Sequence, residues 1–118
     1  MEYNAFLIEI KNKISSGLIF NNPGGGTSVI ISITQKNSIL YRRRNSDIYI
    51  SIENIYKAYK QFRNSKCTTT QLKNFMPNVF RKKDCNCTFL FSILNKISLC
   101  SEIMGLGKNQ SPFYVEIY

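Results

Sequence analysis

The side chains best suited to chemistry in this sequence are its thiols, its carboxylates and its many lysines and arginines, because histidine is absent. Without an imidazole the chain lacks the commonest general base and a common zinc ligand. Ser-His and Cys-His nucleophile pairs are excluded as well. Most hydrolytic mechanisms are therefore excluded at the outset.

The four cysteines are the number that a structural zinc site requires, but their spacing does not fit one. The paired C-x₂-C pattern is missing, and Cys100 falls at the far end of a predicted helix from Cys87. The N-terminal residues carry acids and no basic stretch, so they do not resemble a secretory signal. We therefore expect that the protein holds no metal, that it is cytoplasmic and that its thiols are reduced.

Carboxylates and glycines provide no clear catalytic site either. A nuclease metal site needs two or three converging acids, and the whole chain has seven; Glu9-Ile10-Lys11 has a suggestive spacing but lies on a predicted helix. The segment Gly24–Ser28 lacks the lysine and the preceding strand of a nucleotide-binding P-loop. It is predicted to be a structural turn or a backbone clamp on a phosphate. We expect neither catalysis nor a cofactor.

Positive charge is concentrated in the middle of the chain. The 118 residues carry 16 Lys+Arg and 7 Asp+Glu, for a net charge of +9. Residues 36–83 hold 12 of the basic side chains and only Asp47 and Glu53 as acids, so this stretch is +10 and the remainder is −1. Such a one-sided field favours a polyanionic partner, and nucleic acid is the leading candidate. No apolar run approaches the roughly 18–20 residues needed to cross a bilayer, and no membrane partner is predicted.

Length and patterning predict one domain, with an N-terminal helix and glycine-rich loop over residues 1–28 and a core over 29–118. Apolar spacing predicts a first helix over 4–15. Alternating residues predict strands over 29–34 and 38–41 and a third strand around 48–52. The Arg42–Arg44 triplet would lie in the connection between the last two strands.

Three further helices and a hairpin follow in the predicted order. Ser51 would cap a helix that ends near Phe62, and a Thr68 capping box would begin a helix that ends at Pro77. Asn86 would cap a third helix that ends near Leu99. The tail, 102–118, would form a β-hairpin around a turn at 107–109.

This order over residues 47–118 resembles a winged-helix (helix-turn-helix) DNA-binding domain. The predicted fold class is thus α+β and winged-helix-like, a three-helix core with β-hairpins and an extra N-terminal helix. The resemblance implies that the third helix enters the major groove, with Asp84, Asn86 and Thr88 at base edges and the wing tip on phosphates. The leading segment, with Pro23–Gly26 and Tyr41–Arg44, is faintly similar to recognition modules attached to prokaryotic restriction enzymes.

The sequence therefore predicts a non-catalytic domain that binds duplex DNA by sequence or shape. It would be either a small regulator or the recognition module of a larger restriction or DNA-processing protein whose partner domain is a nuclease or another effector. Two alternatives stay open: a phage- or plasmid-type protein that binds an acidic protein surface, and an RNA-binding protein. The oligomeric state is also open. The predicted DNA-binding residues are Arg42, Arg43, Arg44, Lys57, Lys60, Arg63, Lys73, Arg81, Lys82, Lys83, Asn86, Thr88, Lys108 and Asn109.

Overall fold

A four-stranded antiparallel sheet follows one N-terminal helix, and four more helices with a two-stranded sheet complete the chain. A computed structural model describes all 118 residues. The α+β class is confirmed. The elements, in chain order, are α1 Tyr3–Lys13, β1 Ile19–Asn21, β2 Thr27–Ile33, β3 Ser38–Arg43, β4 Ser46–Ser51, α2 Ile52–Phe62, β5 Lys66–Thr68, α3 Thr69–Phe75, α4 Pro77–Phe80, α5 Cys85–Lys96 and β6 Tyr114–Glu116.

The large sheet has the order β1-β2-β3-β4, and each strand pairs with its neighbour in sequence. The edge strand β1 was not predicted, because it has only three residues and needs β2 to form its hydrogen bonds. The prediction that Arg42–Arg44 forms a connection was wrong for its first two residues. Arg42 lies opposite Asp47 and Arg43 opposite Ser46 in the β3–β4 pairing. Arg44 begins a two-residue turn and has a φ of 56°.

Local capping signals correctly predicted where two helices begin. The Ser51 side chain accepts a hydrogen bond from the Asn54 amide at the start of α2. At the start of α3, Thr68 and Gln71 form the predicted capping box. Pro77 ends α3 as predicted, and it also occupies the first turn of the short helix α4, where its missing N–H costs nothing.

Helix α5 differs from its prediction in its cap and in its surroundings. Asp84, not Asn86, is the N-cap residue, and the helix ends at Lys96 rather than near Leu99. The Phe89 ring stacks on Tyr41 of β3 with their centroids 3.6 Å apart. The opposite side of α5 faces α3 and α4, and there the Cys87 thiol donates towards the Phe80 carbonyl at 3.7 Å. Since apolar residues surround it, α5 is the buried central helix of the molecule.

The tail folds back on itself, but only part of the predicted hairpin is regular strand. β6 pairs with β5, from Lys66 opposite Glu116 to Thr68 opposite Tyr114. The other arm of the hairpin makes only isolated bridges, one of them between Met104 and Tyr114. No helix of the structure combines the length and the apolar character that a bilayer crossing requires.

Candidate functional site

A polar cleft of about 260 Å³ lies where β3, α3, the start of α5 and the C-terminal turn meet. We call it the cationic cleft, because Arg43, Lys73 and Lys108 all contribute to its walls. Of the predicted site residues it also contains Thr88 and Asn109. Its remaining lining residues are Gly24, Thr69, Thr70, Asp84, Cys85, Gly107, Pro112 and Phe113. Five predicted residues from four separate stretches of the sequence thus share one site.

A second concavity, the arginine depression, adjoins the cationic cleft. It has a volume of about 330 Å³, and Arg42, Arg43 and Arg44 line it together with the loop at Gly25 and Gly26. That loop closes the β1–β2 hairpin through a hydrogen bond from the Asn22 amide to the Gly26 carbonyl. Because Arg43 belongs to both concavities, their cations form one continuous surface.

Most of this positive charge has no neutralising partner within the protein. The structure contains three ion pairs, and only two of them, Arg42–Asp47 at 2.7 Å and Lys57–Glu53 at 3.2 Å, involve residues 36–83. Ten of the 12 basic side chains in that stretch therefore have no carboxylate within 4.0 Å. The hydrogen bond from Arg42 lowers the pKa of Asp47, which keeps this pair ionised. In the cleft, the single carboxylate of Asp84 faces three cations.

A buried hydrogen-bond network behind the cleft fixes the start of α5. The Tyr41 hydroxyl donates to Asn86 Oδ1 at 2.7 Å, and it lies 3.5 Å from Cys85 Sγ. Asn86 Nδ2 in turn donates to the Val79 carbonyl at 3.1 Å. Burial raises the pKa of Tyr41 far above its ordinary value, so its proton stays in place as a donor. The network thereby joins the sheet, α4 and α5.

Asn86 itself cannot contact a base edge, contrary to the sequence-based expectation. Its residue is only 2% exposed, and both ends of its amide are occupied inside the protein. The burial of α5 also disfavours its entry into a major groove, because seven of its 12 residues are buried. The sheet covers this helix through Phe89, and only Cys85, Thr88, Ser92 and its last residues reach the surface.

The basic residues of α2 do not line the cationic cleft. Lys57 and Lys60 border a separate shallow concavity with Tyr56 and Phe75. Lys60 Nζ lies 5.8 Å from the centre of the Tyr56 ring, and the Arg63 guanidinium lies 6.0 Å from that of Tyr59. These cations are held along aromatic faces of their own helix.

The second basic triplet also lies outside both concavities. Arg81, Lys82 and Lys83 are exposed in the turn between α4 and α5. Arg81 donates to Asn74 Oδ1 at 2.9 Å, which ties this turn to α3. The triplet flanks the start of α5, as predicted from the sequence, but it does not point into the cleft.

The four cysteines are free thiols in two different environments. Burial raises the pKa of Cys67, Cys87 and Cys100 to about 12. Cys85 is half-buried and lines the cationic cleft, a position that sequence reasoning did not assign to it. No group of three or more Cys, Asp or Glu side chains in the structure is placed to hold a metal ion.

Sequence reasoning also missed the two threonines of α3 and the aromatic residue of the cleft wall. Thr69 and Thr70 were interpreted only as part of a capping box, and Phe113 only as part of a strand. No local signal marks these residues as neighbours, because it is the β5–β6 pairing that brings Phe113 beside Thr69, whose amide donates to the Phe113 carbonyl at 3.0 Å. Comparisons with protein families, with curated proteins and with solved structures returned no match for this chain.

Proposed function

We propose that the protein binds duplex DNA, without catalysing a reaction on it, through the surface that the cationic cleft and the arginine depression form. The observation that carries this proposal is the convergence of Arg43, Lys73 and Lys108 on one cleft without an ion pair among them. Unpaired like charges destabilise a folded protein unless a polyanion neutralises them. DNA phosphates do this while they release their own counterions.

The proposed fold is winged-helix-like, but the proposed DNA contact is not the one that is usual for that family. Support comes from the order α2, α3, α5 and tail hairpin, and from the β5–β6 pairing that holds this hairpin beside the helices. The DNA contact that we propose differs from the usual one, because α5 is covered. The hairpin turn at Lys108 and Asn109 and the arginines of β3 would hold the phosphate backbone.

We further propose that the protein works in the cytoplasm together with another DNA-processing activity. Four free thiols, three of them buried, suit a reducing cytoplasm. A binding domain of this size acts by occupancy or delivers another activity to DNA. We therefore propose a nuclease or another DNA-processing domain as its functional partner, or a role as a small regulator.

The test is a fluorescence-anisotropy titration of a labelled 20-base-pair duplex at several salt concentrations. The slope of log K against log salt is about −0.9 for each phosphate contact. Replacing Arg43, Lys73 and Lys108 with Gln should therefore reduce the slope by about 2 to 3 and weaken binding at every salt concentration. The matched control replaces three exposed lysines outside both concavities, Lys11, Lys36 and Lys96, and removes the same charge.

Two binding results would overturn the proposal, and so would an absence of duplex binding. One is an equal loss of affinity in the cleft variant and in the control, since binding would then follow net charge alone. The other is tighter binding to single-stranded RNA or DNA than to the duplex, which would favour the RNA-binding alternative. If the duplex does not bind at low salt, an acidic protein surface becomes the better candidate partner.

A further inference from the structure

The shape of the cationic cleft raises a question that duplex binding alone does not answer. A cube of about 260 Å³ has edges of about 6 Å, whereas the major groove of B-DNA alone is about 12 Å wide. A double helix can therefore lie across this cleft but cannot enter it. The volume is instead close to the lower bound of about 300 Å³ for small-molecule sites.

The lining of the cleft divides into two kinds of group. Arg43, Lys73 and Lys108 supply three cations, which suit a phosphate. Phe113 contributes an aromatic ring to the wall. The absence of a side chain at Gly107 leaves room for this ring, because a Cβ at residue 107 would lie 2.5 Å from two ring carbons.

Neutral and acidic polar groups occupy the rest of the wall. The Thr69, Thr70 and Thr88 hydroxyls can donate or accept hydrogen bonds, and the carboxylate of Asp84 can only accept them. A carboxylate opposes a bare phosphate but accepts hydrogen bonds from a base amine or a sugar hydroxyl. The lining is thus better matched to a phosphate joined to a base and sugar than to phosphate alone.

We infer that the cationic cleft is a binding site for a single nucleotide, with its phosphate on the three cations and its base beside Phe113. This inference rests on the proposed binding of duplex DNA, so the natural occupant of the cleft is one nucleotide that is displaced from the bound duplex. Extrusion of a base is easiest at a mismatched or unpaired position, because less pairing and stacking is lost there. The protein would then prefer duplexes that contain such a position.

Cys85 supplies a reporter for this site within the native chain. It is the one half-exposed thiol and it lines the cleft, whereas the other three are buried. An uncharged maleimide should therefore label Cys85 first, and Cys85→Ser should abolish this fast phase. A nucleotide in the cleft should slow the labelling by a factor of 1 + [L]/Kd, which is about tenfold at ten times Kd.

The experiment compares labelling rates with deoxyadenosine monophosphate, with inorganic phosphate at equal ionic strength, and with no addition. We expect the nucleotide to slow Cys85 labelling at least threefold more than phosphate does. Lys73→Gln should reduce the protection, and Lys60→Gln, on the separate α2 concavity, should leave it unchanged. Equal protection by phosphate and by the nucleotide would overturn the inference, as would no protection by either.

A second arm uses two 20-base-pair duplexes that differ by one unpaired central nucleotide. We expect the duplex with the unpaired nucleotide to protect Cys85 more strongly at equal occupancy, which anisotropy measures independently. Equal protection by both duplexes would overturn the displaced-nucleotide part of the inference and leave duplex binding intact. Failure of both duplexes to bind would overturn the proposed function, and the mononucleotide arm would still decide whether the cleft takes a nucleotide.

Discussion

Replacing Tyr41 with Phe removes one buried hydroxyl that joins the sheet to the central helix. The Tyr41 ring is fully buried and stacks on Phe89, so the substitution keeps this contact. It deletes the 2.7 Å hydrogen bond to Asn86 Oδ1 and leaves that oxygen without a partner in the protein interior. A buried acceptor that loses its donor costs about 1 to 3 kcal/mol.

We expect the free energy of unfolding of Tyr41→Phe to fall by about 2 kcal/mol. With an m value of about 2 kcal/mol per molar, the urea midpoint should decrease by about 1 M. Tyr49→Phe is the matched control, because Tyr49 lies on the neighbouring strand, is 60% exposed and makes no hydrogen bond through its hydroxyl. Its midpoint should stay within about 0.3 M of the wild type.

A double variant tests whether the loss comes from this bond. If the Tyr41–Asn86 contact accounts for the effect, Tyr41→Phe should cost less in an Asn86→Ala background, with a coupling of at least about 0.5 kcal/mol. Equal midpoints for Tyr41→Phe and Tyr49→Phe would refute the reasoning, because the hydroxyl would then contribute nothing to stability.

Three further predictions concern the stability of the fold. Burial raises the pKa of the Cys67, Cys87 and Cys100 thiols from about 9 in the unfolded chain to about 12 in the folded one, so the unfolded state loses these protons first and the free energy of unfolding falls as pH rises above about 9. At pH 10 each thiol should lower that free energy by about 1.4 kcal/mol, and a urea midpoint that is the same at pH 8 and pH 10 would contradict this. Gly105→Ala should lower Tm by about 8 °C, because residue 105 has a φ of +93° and a Cβ there would clash with the Pro112 carbonyl oxygen. Gly24→Ala should change Tm little, because no atom lies within 4 Å of the position that its Cβ would take. Thr68→Ala removes the capping box and should lower the free energy of unfolding, measured by urea denaturation, by about 1 kcal/mol. A similar decrease for Thr70→Ala, at an exposed position of the same helix, would show that the cap is not the cause.

The features that sequence reasoning predicted correctly depend on residues close together in the chain. The Ser51 cap and the Thr68 capping box join residues three apart, so the sequence alone contains their full chemistry. The end of α3 at Pro77 depends on one residue and its ring geometry.

The errors concern contacts between distant residues. Asn86 has the residue type of a helix cap, yet its partner is Tyr41, 45 positions earlier. No local pattern indicates this, and the sheet cover of α5 through Phe89 is equally non-local. In the same way, the charge pattern identified Arg43, Lys73 and Lys108 as separate candidates, but only the β5–β6 pairing places the last of them in the cleft.

The β5–β6 pairing also determines when the cleft can exist during synthesis. Residue 68 ends β5, and β6 begins 46 residues later, at Tyr114. At about 5 to 20 residues per second, a ribosome needs about 2 to 9 s to translate that interval. The sheet and α2 can form during this time, but β5 has no partner strand and one wall of the cleft is missing. A nascent chain should therefore complete the cationic cleft only when β6 pairs with β5, after most of its fold is in place.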